Sequence, residues 1–429
     1  NVHIWTGMWT WLISNNTFFE AKYSGYYSPN DYLPAFGSKD EIYTNPPHYD
    51  GATGVTSGGL VWPWFYIVTR HQVNLTATHF ADDFLAGDHE FKVGVQFNRG
   101  TSDTYGGYAG GKFYYDYAGE PYYLYVQDTN RYGGTVVNIG GFVDDSWKIG
   151  DRLTINVGLR FDSHNAYIPD FPLMHNFKET GEMGKGIDDL IVWKSWSPRI
   201  GVAYQVTSDQ KTLFKASFGR YYVYPYIANW EWPGPNAPDL YTYWWNGSEW
   251  ELQYVLPTEA GYTMDPNIKN PYYDQLSVGL ERELAANFSL GATYIYKSGK
   301  DNFGYEDRGG IYEKVTRVSP DNGQTYEVWN WVGGEFDHWL TNPKGWGQTY
   351  HGVIIKYNKR YANNWLMSAS VTWSKAEGLN LSSRATGGYG MSQSLVWYTG
   401  KFGADPNSLI NAKGPLNLDK RWLVKVSVG

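Results

Sequence analysis

The chain has 429 residues and no Cys, so disulfide frameworks and thiolate metal sites are both excluded. Its formal net charge is −8, and it contains no long basic run, so nucleic acid is not an expected partner. Aromatic residues make up 18% of the chain, which excludes a disordered protein, and no run of about 18 apolar residues is present to form a membrane-spanning helix.

Apolar side chains alternate with small or polar ones along many segments, which is typical of strands with two unlike faces. In residues 153–161 every odd position is Leu, Ile, Val or Phe, and every even position is Thr, Asn, Gly or Arg. The pattern predicts about thirteen strands in chain order, roughly at 2–13, 17–28, 68–81, 89–99, 135–148, 153–164, 195–205, 212–223, 272–284, 288–298, 350–361, 365–377 and 420–429.

The predicted connections alternate strictly between short and long. Short turns are expected at 15–16, 82–88, 149–152, 207–211, 285–287 and 362–364, and long segments at 29–67, 100–134, 165–194, 224–271, 299–349 and 378–419. In an up-and-down sheet every second connection lies at the same end, so all long loops fall on one rim. Outer-membrane barrels have this asymmetry, with short periplasmic turns and long extracellular loops. The sequence therefore predicts an all-β, antiparallel transmembrane barrel fold.

The polar faces of these strands predict side chains that point into the barrel lumen. The candidates are Lys92, Gln96, Asn156, Arg160, Gln275 and Glu281. In a barrel that contains a plug domain they would hydrogen-bond the plug, and in a porin they would line water. The residues alone leave both possibilities open.

One long loop is unusually rich in tryptophan. Trp230, Trp232, Trp244, Trp245 and Trp250 lie within about twenty residues, and such side chains are costly to leave in water. One interpretation is a ligand-binding platform that stacks against sugars, peptide aromatics or a partner surface. The other is that they form the loop's own small core or a strand extension above the membrane.

No catalytic or metal-binding motif is found in the chain. It lacks His-Glu-x-x-His, Gly-x-Ser-x-Gly, a phosphate-binding Walker loop and EF-hand spacing. We therefore expect neither an enzyme nor a cofactor or metal site.

Several segments resemble the barrel of TonB-dependent outer-membrane receptors. They are Gly-Phe-Val-Asp-Asp-Ser-Trp at 141–147, Leu-Thr-Ile-Asn-Val-Gly-Leu-Arg-Phe-Asp at 153–162 and Ser-Pro-Arg-Ile-Gly-Val-Ala-Tyr at 197–204. Segments at 273–283, 350–360, 370–375 and 405–410 resemble the Oar-like branch of that family. The resemblance covers most of residues 68–429, apart from the long loops.

The resemblance implies an active transporter in the bacterial outer membrane. It would have a barrel of twenty-two strands, a plug inside it, and a plug-borne segment that engages the TonB protein for energy. A surface lipoprotein over the loops is a further expected partner, besides outer-membrane lipid. The sequence shows no recognisable plug and no amino-terminal carboxypeptidase-regulatory-like domain, so residues 1–429 are expected to be an interior part of the barrel domain.

Two other functions are compatible with the same strand pattern. A passive porin or structural outer-membrane protein would have the same strands and an open lumen. A soluble β-rich glycan-binding protein would keep the alternation but would have no reason to gather its long loops at one end.

Overall fold

The fold is described from a computed structural model, which covers residues 2–34, 38–225, 235–257, 263–379, 403–416 and 419–429. Strands dominate these residues, and the all-β prediction is confirmed. The one α-helix of the described residues, Glu41–Thr44, and the two 3₁₀ turns, Ala109–Gly111 and Pro406–Leu409, are all short. Within these residues no helix is long and apolar enough to cross a membrane.

A single antiparallel sheet of 14 strands forms the body of the molecule. Its thirteen main strands are β1 (His3–Ser14), β2 (Thr17–Tyr32), β3 (Trp64–Ala81), β4 (Asp88–Gly106), β5 (Asn130–Ile149), β6 (Leu153–Ile168), β7 (Ile187–Gln205), β8 (Thr212–Tyr222), β9 (Tyr272–Ala285), β10 (Phe288–Lys300), β11 (Gln348–Ala362), β12 (Trp365–Leu379) and β13 (Trp422–Val428). The short strand Lys413–Pro415 pairs with the end of β12 and completes the sheet.

The strands follow one another around the sheet in chain order, as an up-and-down topology requires. All six short turns therefore lie at one rim, the turn rim, and all six long loops lie at the other, the loop rim. Each predicted strand segment falls on one of these strands.

The register gives the sheet two chemically different faces. Residues directly opposite each other share a face, and Val95 lies opposite Leu75 on β3 and Gly141 on β5. The apolar side chains of this outer face are open to the surroundings: Val95 is 55% exposed and Val157 is 52% exposed. A continuous exposed apolar face across so many strands is suited to lipid rather than water. The opposite face, here called the inner wall, carries the polar residues.

The strands are longer at the loop rim than the alternation predicts. β4 runs to Gly106 rather than about 99, and β7 begins at Ile187 rather than about 195. The reason is that the strict alternation fades there: on the inner wall Ile191 and Trp193 are buried apolar residues, while Lys194 lies on the outer face. Only the part of a strand in contact with hydrocarbon needs one wholly apolar face.

The long loops form structure of their own. Their strands are Pro47–Asp50, Thr56–Gly58, Lys112–Tyr117, Glu120–Val126, Phe171–His175, Lys178–Gly184, Leu240–Trp245, Trp250–Leu256, Thr263–Met264, Gly304–Asp307, Ile311–Val318, Thr325–Gly333 and His338–Thr341. Strands from three different loops join into one six-stranded sheet, here called the loop sheet, which begins at Thr56–Gly58 and ends at Trp250–Leu256.

An apolar cluster, here called the loop core, joins the loops to the inner wall. Val136, Ala166, Ile191 and Trp193 of the wall pack with Ile268, Phe303, Tyr305, Leu340, Trp346, Leu379 and Ala404. Trp193 is 5% exposed, and its indole N–H donates to the carbonyl of Ile268 at 2.7 Å. The loops therefore fold inward over the mouth of the sheet rather than outward into solvent.

A carboxylate holds two loop segments together beside this core. Asp307 accepts hydrogen bonds from the backbone N–H of Gly310 at 3.0 Å and of Asp337 at 2.9 Å, and from the hydroxyl of Tyr312 at 3.0 Å. Burial raises the pKa of Asp307, but these hydrogen bonds outweigh it, and the pKa lies below its ordinary value of 3.8. Burial and the bond to Asp307 raise the pKa of Tyr312 to about 12.

Replacing an outer-face residue by a charge should destabilise the barrel, whereas the same change one residue earlier should not. Val157→Arg places a charge in lipid and should lower the free energy of unfolding by ~2–4 kcal/mol if the site lies near the bilayer midplane. Asn156→Arg faces the lumen and should cost less than about 1 kcal/mol. Urea unfolding of the folded protein in lipid vesicles measures both variants, and equal losses would contradict the assignment of faces.

The segment around Asp307 should loosen in acid. Because its pKa is lowered by folding, its contribution to stability is complete above about pH 4 and is lost as the pH falls below that value. Hydrogen exchange at Gly310 and Asp337, corrected for the intrinsic rate, should show protection that falls as the pH drops below about 4. Asp307→Asn should lose that protection already at pH 7, and Asp321→Asn, at an exposed turn, should not. Unchanged protection in Asp307→Asn would show that the carboxylate does not hold this segment.

Candidate functional site

A polar cavity lies on the inner wall below the loop core. It is a cavity of ≈ 210 Å³, here called the arginine cavity, bounded by six consecutive strands and the segment after β8. Its lining residues are Arg70, Gln96, Asn98, Asn138, Arg160, Asp162, His164, Ser197, Arg199, Tyr221, Tyr222 and Tyr224.

One of the three arginines is fully engaged by the wall. Arg160 donates from Nε and Nη2 to the two carboxylate oxygens of Asp162, each at 2.6 Å, and from Nη2 to Gln96 Oε1 at 2.8 Å. Asp162 Oδ1 also accepts from the amide of Asn138 at 3.3 Å. This forked, charge-assisted geometry is strong and holds both side chains in place.

A glycine makes room for that ion pair. Gly140 lies directly opposite Asp162 on the neighbouring strand. A Cβ at this position would lie 2.4 Å from Asp162 Oδ1 and 2.7 Å from Arg160 Nη2, closer than real contacts allow. A larger residue here would displace the ion pair, so glycine is favoured for space rather than for backbone freedom.

The other two arginines are less engaged. Arg70 donates from Nε to Asn98 Oδ1 at 3.2 Å, and its guanidinium lies 5.8 Å from the ring of Tyr224. Arg199 lies over the ring of Tyr221 at 5.2 Å, and it forms no hydrogen bond or ion pair with the described residues. Guanidinium donors thus remain available toward the cavity.

Two buried polar atoms at the same place have no partner among the described residues. They are Asn138 Oδ1 and His164 Nδ1, on side chains of residues that are each 4% exposed. Tyr224 covers His164 edge-on, with 5.7 Å between ring centroids. Buried polar atoms are normally paired, so atoms of this kind require a water or a ligand.

The structure places all six predicted lumen residues on the inner wall but brings only two together. Gln96 and Arg160 meet in the arginine cavity. Glu281 instead lies 3.8 Å from Lys215 of the neighbouring strand, in an exposed ion pair. Lys92, Asn156 and Gln275 lie outside the cavity.

The sequence analysis missed most of the cavity. It did not single out Arg70, Asp162, His164 and Arg199, although all of them continue the polar face of predicted strands. Extending the alternation of residues 153–161 by three residues toward the loop rim would have found Asp162 and His164. Their proximity to Arg70 depends on the register and curvature of the sheet, for which the sequence gives no signal.

The tryptophan-rich loop does not form one platform within the described residues. Trp230 and Trp232 lie outside them. Trp245 and Trp250 are opposite each other in the hairpin of the loop sheet, with ring centroids 5.1 Å apart, whereas Trp244 points to the other face. The hairpin belongs to the loop sheet and leaves Trp244 37% exposed, and a ligand-binding role for these tryptophans stays a prediction.

Trp244 continues a row of aromatic residues across the loop sheet. It lies opposite Tyr123, which is opposite Tyr115, which is opposite Tyr49 of a third loop. The ring centroids of Tyr49 and Tyr115 are 5.8 Å apart. The sequence pattern could not show this row, because its members come from three separate loops.

Metal-binding clusters are not found in the described part of the chain: no group of three or more His, Asp or Glu side chains there could hold an ion. His71 and His79, eight residues apart on β3, instead pair with Tyr23 and Thr17, each at 2.8 Å.

Comparison with known proteins agrees with this geometry. Residues 1–428 match the family model described as an outer membrane beta barrel domain. The TonB-dependent transporter Oar of Myxococcus xanthus is 28% identical over 384 residues, which are 76% of this chain and 33% of Oar. The outer membrane transporter YddB of Escherichia coli has a similar fold, with a TM-score of 0.55 and 13% identity over the whole chain and 54% of YddB.

Both relatives are named as transporters rather than enzymes. The chain spans one third of the length of Oar and about half the length of YddB. The expectation of an outer-membrane β-barrel similar to an Oar-type transporter is confirmed. The chain belongs to the outer membrane beta barrel domain family and is a β-barrel protein of the bacterial outer membrane.

Proposed function

We propose that this chain is the barrel part of a TonB-dependent transporter, which binds a solute outside the cell and imports it across the outer membrane. The similarity to Oar supports this function. The observation that carries it is the inner wall, which combines a polar cavity with loop segments that pack over the mouth of the sheet. A wide open pore for passive diffusion would need neither feature.

The proposal includes parts of the protein outside this chain. Within the described residues β1 pairs only with β2, and β13 only with β12, so each has a free edge. Free strand edges are not tolerated in hydrocarbon. Further strands, up to the twenty-two of the receptor family, would pair these edges and close the barrel.

A plug inside the closed barrel would contact the polar inner wall. Lys92, Asn156, Gln275 and Glu281 present hydrogen-bonding groups on that wall, which suits this role. The plug would transmit the pull of TonB, and a solute bound above it would then pass through the lumen.

The loop sheet is the proposed first contact for the solute or for a surface lipoprotein. Trp244 is 37% exposed at one end of its aromatic row, and the rings of Trp245 and Trp250 form a tilted pair on the opposite face. Aromatic side chains of this kind provide contact area at a low cost in side-chain entropy. Trp230 and Trp232, in the same loop, are proposed to extend this surface.

The transporter and porin functions predict opposite conductance. In planar bilayers the intact full-length protein should show no open-channel steps, because a plug fills the lumen. A variant that lacks the segment before the barrel should show large steps. The intact protein should also bind the periplasmic domain of TonB. Equal steps from both forms, with no TonB binding, would contradict the proposal and favour a porin.

A further inference from the structure

We propose that the arginine cavity binds the carboxylate of a hydroxylated organic acid, which would be the class of solute that the barrel carries. This inference rests on the proposed transport function and adds the chemistry of the cargo. It is argued from the charges, the unpaired atoms and the shape of the cavity.

The charge of the cavity calls for an anion. Arg70, Arg160 and Arg199 contribute three positive charges, and Asp162 is the one acidic side chain in the lining. Asp162 already uses both of its carboxylate oxygens on Arg160. Guanidinium groups that lie close together without an equal number of carboxylates repel one another. An anion that binds among them therefore stabilises this part of the wall.

Arg199 is placed to be the main contact. It lies opposite Gly158, diagonally beside Arg160 on the same face, and the hydroxyl of Ser197 is the next inward group on its strand. Its planar fork of N–H donors matches the two oxygens of a carboxylate, and the ring of Tyr221 holds it from one side.

The two unpaired atoms favour a ligand that carries hydroxyl groups as well as an acid. Asn138 Oδ1 can only accept, so it needs a donor such as a hydroxyl. His164 Nδ1 can donate or accept, according to its tautomer, and a hydroxyl can match either state. A simple anion such as chloride would satisfy the arginines and leave Asn138 unpaired.

The shape of the cavity agrees with a small organic acid. Its ≈ 210 Å³ is many times the about 10–15 Å³ that a single water requires. The rings of Tyr221 and Tyr224 line it, and aromatic faces pack well against the C–H groups of a polyol.

The position of the cavity favours a solute that arrives from outside. His164 is eleven residues along β6 from its first residue at the turn rim, and Trp193 of the loop core lies directly opposite it. The cavity is therefore just beneath the loops, in the upper part of the wall. A carboxylate on the plug is the competing occupant, and the experiment distinguishes it.

The test uses the full-length protein in detergent and two matched probes, gluconate and sorbitol, which differ in one carboxylate. Equilibrium dialysis should show saturable binding of gluconate and no saturable binding of sorbitol. Arg199→Gln should weaken gluconate binding about tenfold or more, and Arg199→Lys, which keeps the charge but loses the fork, should lie between. Lys215→Gln, which removes a positive charge from the same inner wall outside the cavity, should bind gluconate as the unaltered protein does.

Several outcomes would overturn the inference. They are equal binding of sorbitol and gluconate, full affinity in an Arg199→Gln protein that keeps the folded mobility on gels, or an equal loss in Lys215→Gln. Absence of gluconate binding, together with channel steps that appear only in Arg199→Gln, would assign the site to a plug carboxylate instead. Open channels in the unaltered protein would instead contradict the transporter function itself, whatever the result of dialysis.

Discussion

Backbone hydrogen bonding in hydrocarbon is the constraint on which the rest of the structure depends. Lipid offers no partner to an N–H or C=O group, so each spanning strand must pair with neighbours on both sides. Between β1 and β13 the strands meet this requirement because they lie side by side in chain order, each antiparallel to the one before it. Because of this order, every short turn lies at one rim and every long loop lies at the other. The long loops do not span the membrane, so their sequences are not restricted by it.

The same pairing decides which side chains meet on the inner wall. Once the register is set, residues that lie opposite each other point to the same face of the sheet. Apolar residues occupy the outward positions, so every second position is left for a polar group on the inner wall. Arg160 and Asp162, two residues apart, can then form a forked ion pair along one strand. Gly140 across from them provides the space. A cavity with spare guanidinium groups is thus a product of sheet geometry, and it needs no dedicated domain.

The parts predicted from sequence are those governed by local periodicity. All thirteen strands and all short turns follow from alternation and turn residues, because lipid imposes that pattern over about ten residues at a time. The loops follow no such rule. The row through Trp244 and Tyr49 joins different loops, and the meeting of Arg70 with Tyr224 joins β3 to the end of β8. Contacts of this kind depend on the path of the whole sheet, which no local pattern encodes.

The functional assignments all depend on one orientation, in which the long loops face the outside of the cell and the short turns face the periplasm. Because this chain has no Cys, an introduced thiol is the only one within these 429 residues, and the unaltered protein labelled in parallel gives the background. Ser248→Cys lies in the hairpin turn of the loop sheet, and Ser208→Cys lies in a short turn, both at exposed residues. A membrane-impermeant maleimide applied to intact cells should label Cys at 248, and should label Cys at 208 only after the outer membrane is opened. Labelling of both in intact cells, or of the short turn alone, would contradict the account.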